Sequence, residues 1–420
     1  MNQSELQQLL QQAQTASQDK DHETALACYD SVLSETKEEP EYKELRLTAI
    51  RERSRLLELM GEREEALAGY ESYYLEAGSN KHAVEALVLI GDLHTDMGRH
   101  REALDAYDEA LNLAEAFNYT FGRAKALVGS SLTLHRLGRT EEGLSNIRKS
   151  LGLFQQIEDS EGEMRAWNRL GIIHAQAGQI DRAIHAFQKS LELSREIGER
   201  ETAINLSNLG ECHQVLFNME DALEYHREAL ALAESTAFRS VEADTCRNLG
   251  YDLYNLGQVK EGIRYLQRAL EISDETKQRD VKLQSLYTLA LAEIRRENRR
   301  MAWKYAEELK RIAESRNYRV YQADALHALG LCHKLDGNLE AAEQRWQEAV
   351  FLAHDTGRQF LLWQLHAALA DIAPNPGLAQ VHLQIAADII HQIAYPIENE
   401  AVRNTFLEAP QVQRVLAHVE

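Results

Sequence analysis

The chain has 420 residues, 44% of them hydrophobic and 27% charged, and a formal net charge of −21. So acidic a chain argues against nucleic acid as the main partner, because phosphate binding needs a positive surface, and it suits a basic partner instead. No apolar run reaches the roughly 18–20 residues of a membrane helix. The opening residues Met1-Asn2-Gln3-Ser4-Glu5 lack the basic start and apolar stretch of a signal peptide. With Cys28, Cys212, Cys246 and Cys332 isolated and no CxxC pair, we expect reduced core thiols and a cytoplasmic protein.

The length exceeds what one compact core accommodates, but a repeat array escapes that limit because each unit buries its apolar face on its neighbours. Ala, Leu, Glu, Gln and Arg dominate and only 5 prolines occur, so the predicted elements are helices throughout. In chain order, the first unit surrounds Ala13 and Ala25 and carries the polar run Gln7–Gln12 expected of an amino-terminal cap. The second surrounds Ser54 and Ala66. From there one small residue recurs in the first helix of each unit as Gly91, Ser131, Gly171, Gly210, Gly250, Ala290 and Gly330, stepping by 40, 40, 39, 40, 40 and 40 residues, and a last unit surrounds Ala367. Twelve residues after each of these sites, a second small residue recurs as Ala103, Gly143, Ala183, Ala222, Gly262, Ala302 and Ala342, with Ala379 in the last unit. Two crossing helices whose small residues meet explain this register, since a larger side chain would push them apart. Gly61, Gly98, Gly138, Gly178, Gly257 and Gly337 then mark left-handed turns between the helices of a pair. Large residues such as Tyr29, Tyr70, Tyr107, Phe187 and Trp346 fill the gap to the next unit.

One unit shows the pattern in full: Trp167, Leu170, Gly171 and His174, then Ala183 and Phe187. This resembles the tetratricopeptide repeat, with His in place of its Tyr. The forty-residue period is similar to that of the Pins/LGN polarity adaptors and of bacterial regulators of the maltose-activator and Rap types. The resemblance implies an all-α, right-handed superhelical solenoid of about ten helix-turn-helix repeats, residues 1–396, followed by a capping segment at 397–420. It also implies a protein-interaction scaffold. The stretch Thr405–Val412 resembles one that leads into a kinase, cyclase or transcription domain in bacterial signalling proteins; none follows in this sequence, so we expect an adaptor or a subunit acting in trans.

Four histidines, His94, His174, His213 and His333, share one register, three residues after the small residue of the first helix. Equivalent sites on successive repeats lie roughly 10 Å apart, too far for one metal ion, so we read them as packing residues and expect no metal or cofactor. No GxSxG, phosphate loop, HExxH or kinase set occurs, so no catalytic site is expected. The resemblance places residues of the first helix in a concave groove: Arg165, Asn168, Arg169, Asn208, Glu211, Arg247, Asn248, Tyr251 and Tyr254. Asn matches both groups of a peptide bond, and Arg offers a fork to carboxylates; a solvated polar face is the plainer reading of the same residues. Residues 291–320 carry nine basic against five acidic side chains. Arg295, Arg296, Arg299, Arg300 and Lys304 form a candidate docking patch for an acidic partner or a second copy of this chain, or else a helix laced with i,i+4 pairs. The expected function is thus an adaptor binding an extended or helical partner segment in the groove. The alternative is a Rap-type sensor that changes superhelical pitch on binding a peptide.

Overall fold

The computed structural model describes residues 1–37 and 39–419. Among them lie twenty-two α-helices and one 3-10 turn, with no strand. None of these helices is long and apolar enough to cross a membrane. The chain divides into two compact units, Met1–Ile173 and His174–Glu420.

The first unit stacks the antiparallel pairs α1 (Gln3–Gln18) with α2 (His22–Glu35), α3 (Lys43–Met60) with α4 (Arg63–Ala77), α5 (Lys81–Asp96) with α6 (His100–Ala116), and α7 (Thr120–Arg136) with α8 (Thr140–Gln156). Helix α9 (Ser160–Gln176) holds the division between the units. The second unit continues with α10 (Ile180–Ile197), then pairs α11 (Glu199–Val215) with α12 (Met219–Ser235), α13 (Arg239–Asn255) with α14 (Val259–Glu275), and α15 (Arg279–Arg295) with α16 (Arg299–Ser315). It ends with α17 (Arg319–Leu335) and α18 (Leu339–Asp355), α19 (Gln359–Ile372) and α20 (Pro376–Ala394), and the short α21 (Glu400–Leu407) and α22 (Pro410–Leu416). The expected all-α solenoid of helix pairs is what the chain forms.

The small-residue register has the cause expected of it. A Cβ on Gly143 would stand 2.5 Å from the Ser131 carbonyl oxygen, and one on Gly262 would stand 2.8 Å from that of Gly250. The two markers of a pair therefore touch backbone to backbone. The large residue sixteen positions after the first marker then lies flat on it: Tyr107 on Gly91, Leu266 on Gly250 and Trp346 on Gly330. Tyr107 also meets Gly129 of the next pair, so it joins two repeats as well as filling one. In the sixth pair this role falls to His226, fully buried on Gly210, whose Nδ1 lies 2.6 Å from the carboxylate of the equally buried Asp252. Gly262→Ala should cost about 1–3 kcal/mol from the backbone clash, partly offset by up to about 1 kcal/mol of helix propensity. A thermal midpoint equal to or above that of the parent protein would show that the pair can spread without loss.

Between the helices of a pair the chain turns through a left-handed residue. Gly98 has φ +75° and closes the turn with Arg99 N–H donating to His94 O at 2.9 Å. The equivalent residue in the sixth pair is Phe217, held at φ +58°. An aromatic side chain rarely adopts that conformation, and here its ring is in use: it stacks on Phe406 of α21 with 6.0 Å between centroids and an interplanar angle of 14°. The segment after α20 thus caps the last pair, through Val412, Val415 and Leu416 of α22, and also returns to the start of the second unit.

Candidate binding surface

Successive odd-numbered helices touch at α1 and α3, α5 and α7, α11 and α13, α13 and α15, and α15 and α17, whereas even-numbered helices scarcely touch one another inside the repeats. The stack is therefore tighter on the odd side, and the odd helices form its inner face. Side chains bridge successive odd helices at about one repeat's separation. Arg136 donates to the Thr95 carbonyl at 3.1 Å, and Arg295, in the same register, donates to the Tyr254 carbonyl at 2.8 Å while its guanidinium lies 5.6 Å from the Tyr254 ring centroid.

In the first unit Arg165 is exposed and pairs with Glu161 at 2.5 Å. Asn168 and Arg169 are half-buried, and Asn168 is engaged with neighbours. Arg169 lies near enough to Asp92 to favour its charged form, and the Tyr107 hydroxyl donates to Asp92 at 2.6 Å.

The second unit brings more of the expected residues together. Arg247 reaches Glu211 at 3.1 Å and Asp244 at 2.9 Å. Asn248 is fully buried, its amide donating to Glu211 at 3.2 Å and to Ser207 at 3.4 Å, so it stands in the layer between α11 and α13. Asn208 is half-buried beside it in sequence register, two residues before the marker glycine. Tyr251 and Tyr254 are partly open to solvent, yet desolvation by the surrounding helices pushes both phenols up, Tyr251 to about 12. Arg247, its guanidinium beside Asp244 and Glu211, is held above its ordinary value despite the desolvation that opposes this.

The row extends through residues that the sequence reading did not single out. Tyr287 of α15 is half-buried, its phenol raised well above the ordinary value by desolvation, and its hydroxyl lies 2.7 Å from His327 Nδ1 of α17. Tyr321 donates to Asp280 at 2.9 Å, and Arg358 grips Asp324 with both guanidinium nitrogens, at 2.9 and 3.3 Å. A signal for these residues was present. Asn168, Arg247, Tyr287 and His327 all stand three residues before the marker of their repeat, whereas in the register two before it Asn248 and Thr288 are buried.

The basic stretch is largely tied into its surroundings. Besides Arg295, Arg296 pairs with Glu293 at 3.1 Å, Arg299 lies 3.6 Å from Asp336, and Lys304 lies 5.7 Å from the Tyr305 ring centroid, while Arg300 is exposed. Two histidines of the shared register tie the turn between the helices of their pair. His174 Nδ1 meets Gln179 at 2.6 Å and His213 Nδ1 meets Asn218 at 3.3 Å, each the residue five positions on, at the start of the second helix. Glu293 does the same with Asn298 at 2.9 Å, which explains an acid in a register that holds His in several other repeats.

Family models for the tetratricopeptide repeat match residues 84–117, 122–196 and 243–276, and a model of anaphase-promoting complex subunit 5 matches residues 303–373. Over 198 residues the chain is 24% identical to outer dynein arm-docking complex subunit 4 of Danio rerio, covering 47% of this chain and 36% of that protein. It is 24% identical over 119 residues to tetratricopeptide repeat protein 29 of Trypanosoma brucei brucei, covering 28% and 25%. The chain thus spans about a quarter to a third of the length of these relatives. Among solved structures it is similar to a signal-transduction ATPase with a tetratricopeptide-repeat sensor from Pyrococcus horikoshii, with TM-score 0.63 and 17% identity over 87% of this chain and 55% of that one. A Rap protein complexed with competence and sporulation factor gives TM-score 0.57 and 15% identity over 84% and 99% of the two chains. The apo quorum sensor NprR of B. thuringiensis gives 0.54 and 14% over 83% and 99%. At such identities the likeness is one of fold.

Proposed function

We infer the function from one premise: the chain is a tetratricopeptide-repeat protein. We propose that it is a cytoplasmic scaffold without catalysis of its own, and that it holds a segment of a partner protein along the inner faces of α11, α13, α15 and α17. The observation that carries this reading is the row Arg247, Tyr251, Tyr254 and Tyr287, each half-buried on successive odd-numbered helices, with burial raising the tyrosine phenols. Tyrosine offers a large, stiff apolar face with a polar tip, the combination enriched where proteins bind one another. Arg247 and Glu211 at one end of the row would set the register of a polar or charged partner side chain. The buried, high-pKa thiols of Cys246 and Cys332, each pushed up to about 12 by burial, suit a reducing compartment.

A photo-reactive residue placed at Tyr251 or Tyr287 should capture a partner from cell extract, and Arg247→Ala should lower that capture several-fold. The same residue at Phe351, which is 69% exposed on the even helix α18, is the control. Equal capture at the inner and outer positions, or none at the inner ones, would sink the proposal. A second reading, a sensor that tightens around a short peptide, is favoured by the return of α21 onto the start of the second unit. Small-angle scattering separates the two, because a sensor compacts on binding and a rigid adaptor keeps its dimensions.

A further inference from the structure

Residues 396–406 lie on a seat built by the early and late helices of the second unit. Pro396 packs over the Gly178 turn. An Arg182 guanidinium nitrogen donates to both oxygens of Glu398 at 2.7 Å, and the Asn399 N–H donates to Asp181 at 2.9 Å. Phe406, fully buried, stacks on Phe217 and meets Phe360 edge-on with 6.0 Å between centroids, while Trp363 stands edge-on to Phe217 at 6.3 Å. The polar contacts join residues 216 and 218 positions apart. Phe217 holds a left-handed conformation that most other repeats give to glycine, and such local strain persists where surrounding contacts over-determine it.

The hold on this segment is narrow. Arg182 and Glu398 are 43% and 66% exposed, and Phe406 is the one buried residue within the eight of α21. By contrast α22, just beyond, buries Val412, Val415 and Leu416. Across residues 396–406 only Ile397 and Phe406 are buried, and segments with few buried anchors and exposed polar bonds open at lower cost than the core around them.

We propose that this seat is a binding site for a helical segment bearing an acidic residue and, eight positions later, an aromatic ring, and that residues 396–406 fill it as an internal occupant. A partner segment with that chemistry displaces them. The Arg182 fork takes the carboxylate, Asp181 takes a backbone N–H at the segment's start, and the ring enters the aromatic pocket beside Phe217. The seat is distinct from the tyrosine row, and the proposal stands if partner capture at Tyr251 fails.

The test uses the full chain and a labelled peptide of residues 394–419 added in trans. The occupied parent chain should bind it at least ten-fold more weakly than chains carrying Glu398→Arg or Phe406→Ala. Of the two, Glu398→Arg changes an exposed side chain and so keeps the fold if Phe406→Ala does not. Adding Phe217→Gly to the opened chain should abolish binding. A chain carrying Arg182→Glu should in turn prefer a peptide carrying E398R. Equal binding to parent and opened chains, no binding to the opened chain, or insensitivity to Phe217→Gly would overturn the proposal. So would a concentration-dependent dimer of the parent chain, which would mean that the segment is exchanged between copies.

Discussion

Trp346→Ala should destabilise the second unit by about 3–5 kcal/mol, the range for removing a large aromatic side chain from a core. Trp346 is fully buried in a cluster with Ala342, Ala349, Leu361 and Leu365. Its indole lies so close on Gly330 that a Cβ there would come within 2.2 Å of Nε1, and the same N–H donates to the His327 carbonyl at 3.2 Å. Alanine would leave a cavity and remove the second hydrogen bond to a carbonyl that keeps its helical one. Because repeats are stabilised by their neighbours, the loss should spread, with faster amide exchange across α17 to α20 and release of the segment at Phe406. Urea denaturation and hydrogen exchange read these effects. A loss under about 1 kcal/mol would show that neighbouring side chains collapse into the space, contrary to the close packing inferred for the register.

Stability should rise steeply between about pH 4 and pH 6.5. Burial holds the His327 imidazole down to about 4 from 6.5, and burial with the adjacent His382 does the same for His366. Both side chains are at most 9% exposed. The unfolded chain binds protons at these sites where the folded chain does not. Their contribution is therefore fully present above pH 6.5 and lost as the pH falls through about 4, amounting to about 3 kcal/mol for each at about 1.4 kcal/mol per pKa unit. Asp324 acts in the opposite sense. Burial raises its carboxyl from 3.8 to about 6 against the pull of Arg358, so its contribution is present at low pH and lost as the pH rises through 6. The two imidazoles together outweigh Asp324. Urea midpoints of the parent and of His327→Gln, compared at each pH so that the remaining carboxylates cancel, should show a shallower slope for the variant. Identical slopes would mean that His327 titrates normally in the folded protein.

Much of the architecture was legible in particular residues. The spacing of Gly91, Ser131, Gly171, Gly210 and Gly250 identified the helix pairs, because only a small side chain lets two backbones approach as Gly143 does Ser131 and Gly262 does Gly250. Glu293 stands in the register of His174 and His213 and shares their chemistry, a hydrogen bond with the residue five positions on. The candidate surface was less legible. Asn208 and Asn248 repeat in strict register, but facing the groove or the next helix is a matter of one position on the helix, about 100° of rotation. That single step buries Asn248 and leaves Tyr287 half-open.

The amino-acid sequence by itself determined what is local and periodic: helices, their pairing and the left-handed turns, all set by side-chain size at a fixed spacing. Tertiary structure alone decided the rest. Desolvation of Tyr251 and Tyr287 depends on helices one repeat away. The seat of Phe406 depends on how the second unit returns upon itself, bringing Arg182 to Glu398 across 216 residues. No periodicity encodes such a contact, because its energy comes from groups that meet only after every intervening pair has packed.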